Sequence, residues 1–261
     1  MPRFAANLGY LFTERPLLER IGAAAAAGFK AIELQFPYDV PAAQVKAAIA
    51  RNKLTILGVN TPLGTDKGEF GLAAVPGRER EWEAAFGQAL DYAAAIGGSA
   101  VHCLAGMVPP ARRSEADRVF VGNLRRAADR AAEKNIKLLI EPINPRDRPD
   151  YFLNHVEHAA DIIAEVGKPN VWMQFDFYHV QIVGGDVTHR LAKYLPVIGH
   201  LQCGSVPGRH EPDDGELDFA YVFGVVDRLG YQGWIGAEYR PRGRTEEGLG
   251  WARPYGVVPR T

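Results

Sequence analysis

Short apolar runs rich in β-branched residues alternate along this chain with longer alanine-rich stretches. A strand buried on both faces reads as a continuous apolar run, whereas an amphipathic helix repeats its apolar positions roughly every 3.6 residues. The chain therefore predicts eight strand–helix alternations. The runs that predict the strands are RFAANL, KAIELQF, LTILGVN, SAVHCLAG, KLLIEP, VWMQFD, VIGHLQC and GWIGAEY.

The stretches between these runs predict helices with recognisable ends. Pro41 suits a first helical turn, and Gly28 and Gly167 suit helix C-termini. A glycine-rich segment at residues 60–78 is longer than a typical connection, so it is either a functional loop or partly disordered. The predicted helices are LLERIGAAAAAGF, PAAQVKAAIARNK, EREWEAAFGQALDYAAAIG, residues 114–134, HVEHAADIIAEVG, residues 188–194 and FAYVFGVVDRLG.

The number of alternations and the length of the chain favour a closed barrel. Eight alternations in 261 residues suit a single-domain (β/α)8 TIM barrel spanning residues 1–261. The first strand–helix turn lacks the GxGxxG motif of dinucleotide-binding folds. The segment WARPYGVVPRT, residues 251–261, has no periodicity and predicts an irregular C-terminal extension over the barrel or toward a partner.

Four successive predicted strands end in a polar residue where an aliphatic one would be expected. In a TIM barrel these C-terminal strand ends meet at the active site. Three carboxylates brought together repel one another, and a cation stabilises such a cluster. Oxygen donors favour Mg²⁺ or Mn²⁺. The alternative is that they are rim residues in ordinary salt bridges. The predicted metal ligands are Glu141, Asp176, Gln202 and Glu238.

Two of these residues are also candidates for proton transfer. Glu141 and Glu238 are three predicted strands apart, on different sides of the barrel mouth. One carboxylate can take a proton from a carbon next to a carbonyl while the other returns it to the neighbouring carbon. A metal that holds two adjacent substrate oxygens would stabilise the enediolate formed between the two steps.

Further polar residues near the strand ends are candidates for binding the substrate. His179 suits a donor to a substrate oxygen or a hydrogen-bonded wall residue. Arg209, in a glycine-rich loop, suits a clamp for a carboxylate or a solvated loop arginine. Glu211 in the same loop could bind substrate or order the loop, and His102 could be a core residue. The candidate substrate-binding residues are His179, Arg209, His102, Asn7 and Glu211.

Charge and composition exclude several other functions. The formal net charge of −1 gives no electrostatic reason to expect nucleic acid or an anionic membrane as a partner. No run approaches the roughly 20 apolar residues of a membrane span, and the N-terminus lacks the apolar core of a signal peptide. Cys103 and Cys203 form no disulfide framework, which suits a cytoplasmic protein. The expected partner is a small molecule, and a homo-oligomer is compatible with the sequence.

The chain resembles the hydroxypyruvate isomerase family of xylose isomerase-like TIM barrels. The resemblance runs from MPRFAANL to RTEEGLGW and is most specific in GRHEPDDGE and GWIGAEYRPRG. Further matching segments are PRFAANL, AAxAGFxAIExxFPY, GLAAVPGRE and VHxxAG. It implies a divalent metal on Glu141, Asp176, Gln202 and Glu238, with Glu141 and Glu238 as the acid–base pair. Related sugar isomerases and epimerases carry histidine at the position of Gln202, so glutamine indicates the hydroxypyruvate branch.

The resemblance implies a metal-dependent aldose–ketose isomerase. The reaction it favours interconverts hydroxypyruvate and 2-hydroxy-3-oxopropanoate through an enediolate. Sister enzymes isomerise 2-oxo-tetronates, which are one carbon longer, and a ketose 3-epimerase would use the same site. A DNA-repair endonuclease shares the barrel but needs a histidine-rich multi-zinc site and a basic groove. A non-catalytic binding protein would not need two glutamates on opposite sides of a metal.

Overall fold

The strands form one parallel barrel, as the sequence predicts. The computed structural model describes residues 1–260, and its strand segments follow one another around a nine-stranded sheet in the order β3-β2-β1-β9-β8-β7-β6-β5-β4. Their bounds are Arg3–Asn7 (β1), Ala31–Glu33 (β2), Thr55–Ile56 (β3), Gly58–Asn60 (β4), Ala100–His102 (β5), Lys137–Ile140 (β6), Val171–Asp176 (β7), Ile198–Cys203 (β8) and Trp234–Ala237 (β9).

The barrel closes through the predicted third strand, which is interrupted at one residue. β3 and β4 are the two ends of the sheet order, yet only Leu57 separates them in the chain. Leu57 donates its backbone N–H to Ile32 on one side, at 2.9 Å, and accepts from the N–H of Ser99 on the other, at 3.0 Å. The nine segments are therefore the eight strands of a (β/α)8 barrel, one of them broken in two.

Helices surround the barrel. Their bounds are Leu17–Ala26 (α1), Ala42–Asn52 (α2), Glu79–Ile96 (α3), Arg113–Ala132 (α4), Val156–Val166 (α5), Phe177–Val183 (α6), Val187–Tyr194 (α7) and Phe219–Arg228 (α8). Left-handed residues end α3 at Gly97 (φ 82°) and α5 at Gly167 (φ 64°), a conformation that glycine adopts without steric cost. The sequence did not predict the short helix α6, which starts directly after β7, where the side chain of Asp176 accepts from the Tyr178 N–H and caps it.

The C-terminal segment is more ordered than the sequence indicated. Residues Thr245–Tyr255 form 3₁₀ turns, so the irregular segment begins after Tyr255 rather than at residue 251. Phe4 packs edge-on against Trp251, with ring centroids 4.9 Å apart, and also contacts Phe223 and Tyr255. Aromatic burial of this kind stabilises turns that local sequence periodicity does not reveal. Thr261 lies outside the described residues.

The glycine-rich segment 60–78 is an ordered cover over one end of the barrel. Its backbone pairs with the loop after β5, where the N–H of Ala73 donates to Leu104 O at 3.1 Å. At its end, Arg78 forms a salt bridge with Glu69 at 2.6 Å. The segment is therefore folded against the barrel, and its role in function stays a prediction. Among the described helices, none combines the length and apolarity that crossing a bilayer requires.

Candidate active site

Polar side chains are buried together at the C-terminal ends of the strands. Asp176 ends β7 and pairs with Gln202, the last but one residue of β8, and Glu141 and Glu238 directly follow β6 and β9. All four are between 1% and 6% exposed. Glu141 and Glu238 line a cavity of about 570 Å³, together with residues of the cover segment, whereas Asp176 and Gln202 lie behind this lining. The structure thus brings together the four predicted metal ligands.

A continuous series of polar contacts connects these four residues. His179 Nε2 lies 3.8 Å from Glu141 Oε1 and 3.6 Å from Asp176 Oδ2. Arg209 Nη2 donates to Asp176 Oδ2 at 2.9 Å and to Glu238 Oε1 at 2.6 Å. Gln202 Nε2 in turn donates to Glu238 Oε2 at 2.6 Å. One arginine therefore faces three buried carboxylates.

Burial, together with this imbalance of charge, raises the pKa values of the carboxyl groups. Burial, together with repulsion from Glu238 and Asp176, raises the pKa of Glu141 well above its usual value. Burial raises the pKa of Glu238 to about 8, although Arg209 opposes the shift. Burial also raises the pKa of Asp176. A cation bound among these groups would counter the loss of hydration and the repulsion, and would favour their ionised forms.

The donor set fits a divalent metal. Within residues 1–260, Glu141 Oε1 and Gln202 Oε1 are buried oxygens without a hydrogen-bond partner. Leaving such an acceptor unsatisfied costs about 1–3 kcal/mol, and a cation would remove this cost. Asp176 and Glu238 keep acceptor capacity, since a carboxylate offers about four lone-pair sites. An all-oxygen set of this kind suits Mg²⁺ or Mn²⁺.

His179 presents an N–H group toward the carboxylates. Its Nδ1 accepts from Asn144, whose side-chain nitrogen lies at 2.6 Å and whose backbone N–H lies at 3.3 Å. The side-chain oxygen of Asn144 accepts from the Asp147 N–H, which fixes the orientation of the amide. Burial and the charge of Arg209 lower the pKa of His179 well below its usual value, so the ring is neutral. The remaining proton is therefore on Nε2, which suits a hydrogen-bond donor better than a metal ligand.

Arg209 is deeply buried rather than solvated. Its guanidinium group lies between the rings of Tyr10 and Tyr178, 4.8 and 4.7 Å from their centroids. Besides the two carboxylates it donates to the Tyr10 hydroxyl at 3.0 Å. It lines the cavity, as a substrate-binding residue would, but two of the predicted metal ligands already share its charge. This contact with the ligands was not expected from the sequence.

The other predicted substrate-binding residues lie in different surroundings. His102 lines the cavity, with Nε2 3.6 Å from Glu141, and burial lowers its pKa to about 3. Asn7 donates to Glu238 Oε2 at 2.7 Å, which orients that carboxylate. Glu211 accepts from the backbone N–H of Arg242 at 3.1 Å and lies outside the cavity lining, so it orders the loop.

Several residues of the site were missed by the sequence reasoning. Gln174 donates to Glu141 Oε2 at 2.9 Å, and Glu33 accepts from Gln202 at 2.7 Å. His200 lies 3.3 Å from the Glu33 carboxylate. A signal for two of them exists in the sequence: Gln174 and His200 stand two positions before Asp176 and Gln202, and side chains two apart in a strand share a face.

Comparison with known proteins assigns the chain to a family. The xylose isomerase-like TIM barrel family matches residues 21–255. The chain belongs to that family. A protein named 2-oxo-tetronate isomerase, from Cupriavidus necator, is 49% identical to it over 257 residues, covering 98% of this chain and 99% of that protein. Hydroxypyruvate isomerase of Escherichia coli is 41% identical, covering 98% of this chain and 100% of that protein.

A solved structure shows the same architecture. A Brucella melitensis protein described as an AP endonuclease of family 2 superposes with a TM-score of 0.96 at 44% identity, covering 98% of this chain and 100% of that one. The predicted barrel and the resemblance to the hydroxypyruvate isomerase family are confirmed. With them, the expectation that this xylose isomerase-like barrel is an isomerase is confirmed as well.

Proposed function

We propose that this protein is a divalent-metal-dependent isomerase of short acids that carry a carbonyl on carbon 2 and a hydroxyl on carbon 3. Hydroxypyruvate and 2-oxo-tetronate share this arrangement and differ by one CH₂OH group on carbon 3. The observation that carries the proposal is the pair of buried glutamates, Glu141 and Glu238, that line one cavity, together with the buried, unpartnered oxygens of Glu141 and Gln202.

The two glutamates suit a proton transfer between adjacent carbons. One removes the proton on carbon 3, which gives an enediolate across carbons 2 and 3, and the other delivers a proton to carbon 2. The hydroxyl proton passes from the oxygen on carbon 3 to that on carbon 2, so the atoms balance. Both carboxyl groups line the same cavity, where they can reach a bound substrate. The Nε2–H of His179 can donate to a substrate oxygen.

A bound metal would supply a Lewis acid that holds neighbouring substrate oxygens and favours the enediolate. Glu141, Asp176, Gln202 and Glu238 would hold it. Arg209 places a positive charge beside Asp176 and Glu238.

A second candidate substrate is the four-carbon acid. The sequence analysis favoured hydroxypyruvate, but the cavity of about 570 Å³ has room for more than three carbons. The 49% identity with a protein named 2-oxo-tetronate isomerase exceeds the 41% with hydroxypyruvate isomerase of Escherichia coli. The cover segment contributes Leu63 and Phe70 to the lining, so it is placed to contact the extra CH₂OH group.

A substrate panel tests the proposal. Purified protein is stripped with a chelator, reloaded with Mg²⁺ or Mn²⁺, and assayed with hydroxypyruvate, 2-oxo-tetronate and free ketohexoses. We expect turnover of one or both 2-oxo acids, a return of activity with metal, and deuterium from D₂O on carbon 2 of the product. Turnover of ketohexoses alone would indicate an epimerase. Full activity after chelation would contradict the metal-dependent mechanism.

The endonuclease alternative finds less support in the site. The potential metal cluster found among the described residues is Glu141, Asp176 and His179, with a single histidine whose Nε2 carries the proton. The formal net charge of −1 does not favour a DNA-binding surface. Cleavage of an abasic-site duplex under the same metal conditions, without isomerase turnover, would overturn our assignment.

A further inference from the structure

Glu33 is a buried carboxylate that the proposed reaction does not use. It ends β2 inside the barrel and is 7% exposed. One of its oxygens accepts from Gln202 Nε2 at 2.7 Å, and both lie 3.3 Å from His200 Nε2. It does not line the large cavity, so it has no route to a substrate there.

The contacts of Gln202 explain what Glu33 does. The carboxamide nitrogen donates to Glu33 on one side and to Glu238, at 2.6 Å, on the other. A primary amide has two N–H groups, so both are used and the plane of the group is fixed. Since two carboxylates surround the nitrogen, the carboxamide oxygen must point away from them. That oxygen is buried and has no partner within residues 1–260.

The barrel leaves a specific space for the Glu33 carboxylate. Gly236 on β9 stands opposite Gln202 in the register, and a Cβ there would overlap Glu33 Oε1. The same Cβ would come within 3.0 Å of Gln202 Cγ. The absence of a side chain at Gly236 therefore allows the hydrogen bond between Glu33 and Gln202 to form.

We propose that Glu33 is a positioning residue that turns the carboxamide oxygen of Gln202 toward the metal, in a space provided by Gly236. The inference rests on the metal-dependent function proposed above. Glu238 alone would leave one N–H of the amide without an acceptor, and its oxygens are already shared with Asn7 and Arg209. Glu33 supplies the second, non-reacting acceptor. Replacing a residue that hydrogen-bonds to a metal ligand typically lowers metal affinity by about 10–100-fold.

Metal affinity without substrate tests this role directly. The dissociation constant for Mn²⁺ is measured by titration calorimetry for the wild type and for Glu33→Met, which fills the space but accepts no hydrogen bond. We expect Glu33→Met to bind about 10–100-fold more weakly. Gly236→Ala, which keeps the carboxylate but removes its space, should weaken binding in the same direction. Glu33→Gln keeps one acceptor oxygen and should recover most of the affinity.

Two controls separate positioning from a general loss of stability. Val101→Ala removes a buried methyl pair from β5 on the opposite face from His102, so it lowers stability without touching Glu33. Its Mn²⁺ affinity should match the wild type. In addition, because Glu33 acts through the metal, saturating Mn²⁺ should return turnover of Glu33→Met to within about threefold of the wild type.

The outcomes distinguish this inference from the proposed function. If the wild type binds Mn²⁺ and Glu33→Met binds it equally well, the positioning role is wrong and the proposed function stands. If Val101→Ala loses as much affinity as Glu33→Met, the effect is one of stability, and the role is again wrong. If the wild type binds no divalent metal, both proposals fail. If Glu33→Met does not fold, the comparison of Glu33→Gln with Gly236→Ala decides the question in the same way.

Discussion

The two glutamates that line the cavity, Glu141 and Glu238, differ in the number of hydrogen bonds that they accept. Glu238 accepts hydrogen bonds from Asn7, Gln202 and Arg209, so both of its oxygens are held. Glu141 accepts one, from Gln174, and its Oε1 has no partner within residues 1–260. One side of the site therefore fixes the orientation of a carboxylate, whereas the other leaves an oxygen available to a metal or a proton.

This difference bears on the order of proton transfers. A carboxylate oxygen with unused lone pairs accepts a proton more readily than the oxygens of Glu238, which share three donors between them. Glu141 is also farther from compensating charge, since Arg209 donates to Glu238 and Asp176 but not to Glu141. We therefore expect Glu141 to remove the proton from carbon 3 and Glu238 to deliver one to carbon 2.

Removing either carboxylate should give the largest effect. Glu141→Gln and Glu238→Gln should each lower kcat/KM by about 10²–10⁴-fold, the usual contribution of a general acid or base. The different roles of the two glutamates can be measured by NMR, which follows the exchange of substrate hydrogen for deuterium in D₂O. Glu238→Gln should still exchange the hydrogen on carbon 3, because Glu141 is intact, whereas Glu141→Gln should not.

The matched control is Glu133→Gln, an exposed residue at the end of α4, which should behave as the wild type. Exchange in Glu141→Gln but not in Glu238→Gln would reverse the assignment of the two roles. Near-normal turnover in either variant would remove that glutamate from the mechanism.

The contrast between the two sides also shows what sequence could predict. Glu141, Asp176, Gln202 and Glu238 stand at strand ends, and because parallel strand ends meet in a barrel, the pattern alone brought them together. Some of their partners, such as Asn7 and Glu33, also stand at strand ends, whereas Gln174 lies inside a strand and Arg209 lies in a loop. Asn144 contacts His179 through a loop whose path depends on packing, which no periodicity encodes.

Other features depend on tertiary contacts in the same way. The burial of Arg209 between two tyrosines was not visible in a glycine-rich polar loop, which equally suited a solvated arginine. The break at Leu57 lies within one apolar run, so the composition of LTILGVN gives no sign of it. Glu33 lies at the end of β2, but its hydrogen bond with Gln202 forms only when the closed barrel brings β2 close to β8, so the sequence could not show it.

A smaller effect is expected from the residue that sets the tautomer of His179. Asn144→Ala removes the side-chain donor to Nδ1 and leaves the weaker backbone contact at 3.3 Å. The proton can then move from Nε2 to Nδ1, and we expect kcat to fall by about tenfold with little change in metal affinity. Nitrogen chemical shifts of His179 measure the tautomer, and kinetics measure the loss. An unchanged tautomer together with unchanged kcat would show that the backbone N–H suffices.

A further effect concerns the stability of the protein in the absence of metal. In the metal-free protein the folded state raises the pKa of Glu141 and brings that of Glu238 to about 8, from an ordinary value of 4.5. Between these values the folded protein retains protons that the unfolded chain has lost. The free energy of unfolding must therefore fall as pH rises through this interval. Buried His102 and His179 act in the opposite sense only below their ordinary value of 6.5.

Thermal unfolding between pH 6.5 and 8 measures the contribution of the carboxyl groups separately from that of the two histidines. With a chelator present, we expect the melting temperature to fall across this range, by an amount equivalent to roughly 1.4 kcal/mol per pH unit for each retained proton. Glu141→Gln should reduce this slope, because its side chain cannot ionise. Without the chelator, saturating Mg²⁺ or Mn²⁺ should also reduce the slope, because a bound cation favours the ionised carboxylates. A smaller slope in Glu141→Gln would show that the carboxyl group of Glu141 destabilises the metal-free protein as pH rises. An equal slope in the wild type and in Glu141→Gln would show that it does not.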